Sequence, residues 1–293
     1  MTSLSVCLLG FGEVGQVLSQ DLRTRVGRLC AWDLKFSDTA STPSRAAARH
    51  DILAASDAKH AVADADLVIS AVTAAQIGEA ARSVAPYLKR DAYFFDLNST
   101  SPAAKTEAAS AVDSAGGRFV EAAIMSPISP RRTASPMLLG GVHAAGFLPL
   151  AHELGFSGAE AFSGKLGAAS AAKMCRSVVV KGLEALMLES LLAARQHGVD
   201  GAVLESLRSL FPGDSGAPTP QYMISRALTH GRRRAEEMRE AARTVAEAGL
   251  SSRMSNACAE WQEWAARHPE VAASQDLEVM LDALLSARRG APC

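Results

Sequence analysis

Residues 164–194 read GKLGAASAAKMCRSVVVKGLEALMLESLLAA, and the character of the chain changes around them. Gly164 and Gly167 open a proline-free run of small and apolar residues, long enough for about eight helical turns. Met174, Val178, Leu183, Leu186 and Leu191 cover more than one stripe of that helix, which predicts packing on several sides. Lys173 stands out against this background, because burying an unpaired ammonium is costly and tends to lower its pKa. Ser177 and Lys181 follow at intervals of four, on the same side of the helix. A lysine in a partly dry cleft can serve as a general base near neutral pH; the alternative is a lysine that snorkels to water along its own methylenes.

The 293 residues, 48% of them hydrophobic, are enough for one large or two ordinary domains with ample core. A formal net charge of −1 gives no general attraction to nucleic acid or anionic membrane, so anion recognition must be local. The five cysteines have no CxxC spacing and sit mostly in apolar segments, as free thiols in a reducing compartment would. No basic n-region precedes the short apolar run at 4–9, and no uncharged stretch approaches a membrane span, so a cytoplasmic protein is expected. The histidines show no metal-ligand spacing, and no metal is expected.

From the N-terminus, an apolar strand at 4–9 runs into Gly10-Phe11-Gly12-Glu13-Val14-Gly15 and then an amphipathic helix to about residue 23. A lone GxGxxG is weak, but strand, glycine turn and helix here follow in the order that cradles a pyrophosphate. Gly10 makes the turn, Gly12 admits close approach, and Gly15 lets helix pack on strand. The helix N-terminus then offers free N–H groups and its positive dipole end. A second strand, 28–32, ends in Asp33, placed to accept hydrogen bonds from ribose hydroxyls; this favours NAD over NADP, although Lys35 nearby softens the preference. Asp33 can also be read as a turn residue. Apolar strands at 65–72 and 92–97 alternate with helices at 75–88 and 102–115, the latter with Ser101 as cap and Pro102 at its first position. This predicts a parallel sheet covered on both faces, with Val72, Thr73, Asn98 and Ser99 on the rim where ligands bind.

A strand at 119–125 exits into the basic loop SPISPRR, 126–132. A strand at 136–141, a helix at 144–154 and a strand at 159–162 complete the α/β part. Beyond residue 199 only helical patterns occur, at 199–210, 222–248, 252–267 and 275–287, with a loop at 212–220.

Four blocks, GFGEVG at 10–15, DLNSTSP at 96–102, RFVEAAIMSP at 118–127 and GKLGAASAAK at 164–173, resemble the β-hydroxyacid dehydrogenases, relatives of 3-hydroxyisobutyrate and 6-phosphogluconate dehydrogenase. The likeness covers nearly the whole chain. It implies a Rossmann-like domain, residues 1–163, joined through the long helix to an all-helical substrate and dimerisation domain, residues 164–293. It implies further that Lys173 is catalytic, that Asn98 and Ser99 bind substrate, and that the protein is a homodimer acting on a small anionic molecule. Where the family has an asparagine four residues after the lysine, this chain has Ser177, preceded by Arg176. Where the family has a serine-glycine-glycine turn, Pro127 and Pro130 remove two N–H donors, leaving Ser126, Ser129 or an arginine to hold an acid group.

His230, Arg233, Arg234 and Glu237 fall on one face of a helix, as a cationic clamp for substrate or as a solvated face with Arg232–Glu236 and Arg233–Glu237 pairs. The leading expectation is hydride transfer between NAD and a β-hydroxyacid or related alcohol, with Lys173, Asn98 and Ser177 catalytic. An imine or ketone reductase and a dinucleotide sensor without turnover are the alternatives; imine reductases resemble the family but typically lack the lysine.

Overall fold

The computed structural model describes residues 4–208, 220–274 and 276–289, and the chain forms two units, Met1–Met174 and Cys175–Cys293. The first contains, in order, β1 (Ser5–Leu9), α1 (Glu13–Leu22), β2 (Arg28–Trp32), α2 (Thr42–Arg49), β3 (Leu53–Ala54), α3 (Ala58–Val62), β4 (Leu67–Ser70) and α4 (Ile77–Val84). It continues with β5 (Tyr93–Asp96), α5 (Pro102–Ser114), β6 (Arg118–Ile124), β7 (Met137–Gly140), α6 (Ala144–Glu153) and β8 (Ala159–Ser163). The strand order is β3-β2-β1-β4-β5-β6-β7-β8, a Rossmann-like sheet. All neighbours are parallel except β6 and β7, which are joined by an irregular connection without the crossover helix that parallel pairing requires.

Strand residues alternate between two apolar layers. Val6, Leu8, Phe95 and Val120 pack on one face with Leu18, Leu22, Phe147 and Phe156. Cys7, Leu9, Val68 and Phe94 pack on the other with Ile77, Ala81, Ala108 and Val112. Both faces are therefore dry, as the continuous apolar strands predicted. The segment between β2 and β4 had no assigned pattern, yet it holds α2, β3 and α3. Their caps are ordinary ones: Ser41 Oγ accepts the N–H of Ser44, and Asp57 Oδ1 that of His60. Ser101 caps α5 as expected, accepting the N–H of Ala104.

The long helix α7 (Ala168–Gln196) runs through the division between the units. The second unit continues as α8 (Asp200–Arg208), α9 (Pro220–Glu247), α10 (Arg253–Ala265) and α11 (Leu277–Arg289), with a core of Leu188, Leu191, Ile224, Leu228, Ala265, Met280, Leu281 and Leu284. The expected end of the 199–210 helix and the 212–220 loop, apart from Pro220, lie outside the described residues, as do Gln275 and Cys293. The expectation that α7 is packed on several sides holds in part: Met174, Met187, Leu188, Leu191, Leu192 and Ala194 are buried over more than one stripe, whereas Val179 and Leu186 are exposed. Cys7, Cys30 and Cys258 are buried free thiols and Cys175 an exposed one. Among the described residues no helix is long and apolar enough to cross a membrane, and no group of side chains is arranged to hold a metal ion.

At Gly231 α9 packs closely on α10, since a Cβ there would run into the carbonyl oxygen of Gln262. Alanine is worth up to ~1 kcal/mol over glycine in a helix interior, but a clash with backbone costs ~1–3 kcal/mol. Gly231→Ala is therefore expected to lower the urea denaturation midpoint; a raised midpoint would mean the helices separate freely there.

Candidate active site

The three glycines of the first turn differ in what demands them. Gly10 has φ +94°, and a Cβ there would stand 2.6 Å from the carbonyl oxygen of Ala71; a Cβ at Gly15 would run into the carbonyl oxygen of Gly10. Both are required by the chain itself. Gly12 is different, because a Cβ there would meet nothing within 4 Å. Gly12 is also the N-cap of α1 and makes no side-chain cap, so the first N–H groups of the helix have no side-chain acceptor from it. An exposed glycine at an open helix N-terminus leaves room and donors for an anionic group, which fits a dinucleotide pyrophosphate.

Phe11 is fully buried with its ring 6.0 Å from that of Phe36, and its N–H donates to Asp33 Oδ2 at 2.8 Å. Asp33 Oδ1 accepts the N–H of Lys35 at 2.9 Å. The bond to Lys35 is that of a turn residue at the strand end, and the bond from Phe11 in addition ties the carboxylate to the glycine turn. Each oxygen retains a lone pair for a further donor, so ribose binding is compatible. Glu13 is exposed and Val14 half-buried at the start of α1; Val72 and Thr73 follow β4, half-buried and exposed respectively.

A buried ionic cluster lies at the end of β5. Asp96 is 0% and Lys105 1% exposed, and the two form an ion pair, with Lys105 Nζ also donating to the Asp96 carbonyl at 3.2 Å. Asn98 Nδ2 donates to Asp96 Oδ1 and to Ser70 Oγ, the latter at 2.8 Å. Its Oδ1 is buried without a hydrogen-bond partner among the described residues, an acceptor left available at the rim. Ser99, next along, accepts a hydrogen bond from Lys173 Nζ at 2.5 Å, so two residues singled out in the sequence meet.

What brings Lys173 there is the seating of α7. Ser170 Oγ donates to the carbonyl of Thr100, and the N–H of Ala169 donates to Glu121 Oε1 at 3.1 Å. Glu121 lies on β6, fully buried, in a space that exists because its neighbour on β7 is Gly140; a Cβ there would collide with the carboxylate. Burial pushes the Glu121 pKa up, opposed by Lys105 and by N–H groups of the α7 start. Neither Glu121 nor the Asp96–Lys105 pair was singled out from the sequence. The available signal was a charge out of pattern: Lys105 sits on the stripe of Ala108, Ala109 and Val112, and Glu121 interrupts the apolar run of β6.

In the helical unit, Ser177 Oγ accepts from Lys181 Nζ at 3.2 Å, and Lys181 pairs with Glu237 at 2.5 Å. Glu237 also receives Arg233 at 3.0 Å, the i,i+4 pair expected of a solvated face. The one-face clamp needs correction, because Arg234 turns inward to a buried pair with Glu184 while Arg233 stays largely exposed. Arg176 is exposed. In the loop after β6, Ser126 Oγ donates to the Pro127 carbonyl, Ser129 and Arg131 are exposed, and Arg132 is held on α1 by Asp21, Gln20 and the Val17 carbonyl.

Residues 5–145 match the NAD binding domain of 6-phosphogluconate dehydrogenase, and residues 194–265 match a domain of unknown function, DUF1932. A conserved hypothetical protein from Sinorhizobium meliloti 1021 is 35% identical over 97% of both chains, with TM-score 0.74. The conserved protein MTH1747, of unknown function and described as structurally similar to 3-hydroxyacid dehydrogenases, is 29% identical over 92% of this chain and 100% of its own, with TM-score 0.67. The 3-hydroxyisobutyrate dehydrogenase of Mycobacterium tuberculosis, solved with L-serine, has TM-score 0.71 and 18% identity over 97% of this chain and 99% of its own.

Because burial raises the Glu121 pKa, the folded protein binds a proton there at pH values where the unfolded chain has released it, and stability falls as pH rises through that window. Glu121→Gln removes this dependence. Its stability relative to the parent is expected to rise as pH increases above the ordinary carboxylate range in urea titrations; a difference independent of pH would place the Glu121 pKa in that ordinary range.

Proposed function

Since the chain belongs to the β-hydroxyacid dehydrogenase family, we propose that it oxidises a β-hydroxyacid or related alcohol reversibly, with Lys173 as general acid and base. The observation that carries this reading is the hydrogen bond from Lys173 Nζ to Ser99 Oγ, beside Asn98, at the carboxyl edge of a sheet that carries the glycine turn. The nicotinamide cofactor, when bound, supplies the hydride chemistry.

Every other part of the work falls to side chains and amides of this chain. The backbone of Gly10, Phe11, Gly12, Glu13, Val14 and Gly15 would hold the pyrophosphate, with Asp33 on the ribose and Val72, Thr73 and Asn98 along the rim. Lys173 Nζ would take the substrate hydroxyl proton during oxidation and return it during reduction. Ser99 would hold that amine in place, and Asn98 Oδ1 is an acceptor fixed by the Asp96–Lys105 pair beneath it. Ser177, with Lys181 already on its oxygen, keeps its own O–H to donate. Ser126, Arg176 and Arg233 are the proposed contacts for the acid group of a small anionic substrate, with substrate selection and homodimer formation assigned to the helical domain. NAD is the proposed cofactor in preference to NADP, and the cytoplasm the proposed location, without nucleic-acid or membrane partners.

Lys173→Met tests the chemistry. Turnover on the responsive member of a hydroxyacid panel is expected to fall about 10²- to 10⁴-fold, with NADH affinity unchanged by fluorescence titration. Imine reduction unaffected by the same change would transfer the protein to the reductase reading, and dinucleotide binding without turnover by the parent would make it a sensor.

Asp33→Asn tests cofactor choice. The amide oxygen can still accept the Phe11 N–H, but the charge that repels a 2′-phosphate is gone. The NADPH-to-NADH affinity ratio is expected to rise about tenfold, equivalent to ~1.4 kcal/mol of like-charge repulsion. An unchanged ratio would deny Asp33 that role.

A further inference from the structure

The helical unit holds a group of charges that do not balance among themselves. On α9, Arg226, Arg233 and Glu237 recur at helical spacing, and Arg234, next to Arg233, is turned inward. α7 adds Lys181 and Glu184. Both carboxylates are already engaged: Glu237 by Lys181 and Arg233, and Glu184 by Arg234 and by Gln262 Nε2 at 3.2 Å.

Arg226 remains. It is half-buried, and among the described residues it has no hydrogen bond or ion pair. Burial, then the neighbouring Arg234, lower its pKa, with a smaller contribution from Arg233; Tyr222 and Glu184 oppose them. Two further polar atoms of the same cluster are buried without hydrogen-bond partners: Arg234 Nε, on a side chain more than nine-tenths buried, and Gln262 Oε1. Cys258, which donates to the Lys181 carbonyl, brings no charge, since burial pushes its thiol up to about 11. A half-dry guanidinium beside like charges is unfavourable unless an anion accompanies it, and an unused buried N–H donor points to the same kind of missing acceptor.

We propose that this cluster is a binding site for a dianionic group, of the phosphate-monoester or dicarboxylate kind, with Arg226 and Arg234 Nε as its donors. A charge of −2 cancels the excess of Lys181, Arg226, Arg233 and Arg234 over Glu184 and Glu237, and planar guanidinium groups suit an oxyanion of either type. The site is built from the helical unit alone, mostly within residues 194–265, and does not depend on Lys173 or on hydride transfer.

Calorimetric titration of the full-length protein with sodium sulfate, against sodium acetate at matched ionic strength, tests it. Saturable sulfate binding is expected, weakened about tenfold or more by Arg226→Ala and untouched by Arg239→Ala, an exposed arginine of the same helix paired with Glu263. NADH affinity measured on the same samples should be equal in parent and Arg226→Ala, which separates loss of this site from loss of the fold or of the dinucleotide reading. Competition of sulfate by glycerol phosphate or by malonate distinguishes the two chemistries. Absence of saturable sulfate binding, or equal affinity in Arg226→Ala, would overturn the proposal. A change of oligomeric state in Arg226→Ala without sulfate binding by the parent would overturn it too, since the missing anion would then be a carboxylate of a second copy.

Discussion

The N–H of Ala169 donates to a carboxylate that water does not reach, and the placement of Lys173 depends on that contact. The start of α7, residues 168–174, could meet the edge of the sheet in several registers. Glu121 at its first turn, accepting an N–H and facing the positive end of the helix dipole, selects one. Ser170 on the Thr100 carbonyl selects the same one, and Gly167, with φ +86° and Pro102 Cβ 3.0 Å from where its Cβ would be, lets the helix start close to α5. One turn later the amine arrives on Ser99. The buried charges beneath therefore serve to aim side chains: Lys105 pairs with Asp96, and Asp96 orients Asn98 on the rim of β5. Replacing such a pair with apolar groups often costs little stability, so orientation is the better account of charges kept in that position.

The glycine turn gives an independent line toward a ligand. Gly10 and Gly15 are explained by close backbone contacts inside the chain, whereas Gly12 faces open space and has no internal reason to lack a side chain. With no side-chain cap on the first N–H groups of α1, that open space is where the proposed pyrophosphate would lie. Asp33 links this turn to β2 through the Phe11 N–H, so the carboxylate that would discriminate between cofactors also keeps the turn in shape.

The alternation of apolar strands and helices, the glycine turn and the Ser101 cap were legible in the sequence because each is set by neighbours a few residues away. The short elements between β2 and β4 were not, although the Ser41 and Asp57 caps were signals of the right kind; a two-residue strand and a five-residue helix carry too little periodicity to notice. The reversed direction of β7 follows from its connection rather than from its own residues. That Lys173 and Ser99 serve one site was implied only by family resemblance, and their direct contact, across 74 residues of sequence, was not foreseen. Arg233 and Arg234 show the limit of helical spacing: adjacent positions diverge by about 100°, and only packing against Glu184 and Gln262 decided which turned inward. Lys105 and Glu121 could be seen as charges in apolar company, but their partners came from other elements.

The most direct measurement is a crystal structure of the protein with NAD bound. The account predicts the pyrophosphate against Gly12 and the first N–H groups of α1, with Lys173 Nζ still on Ser99 and facing the nicotinamide end of the same cofactor. A dinucleotide bound away from Gly12, or Lys173 Nζ released from Ser99 into bulk solvent with the cofactor in place, would contradict it.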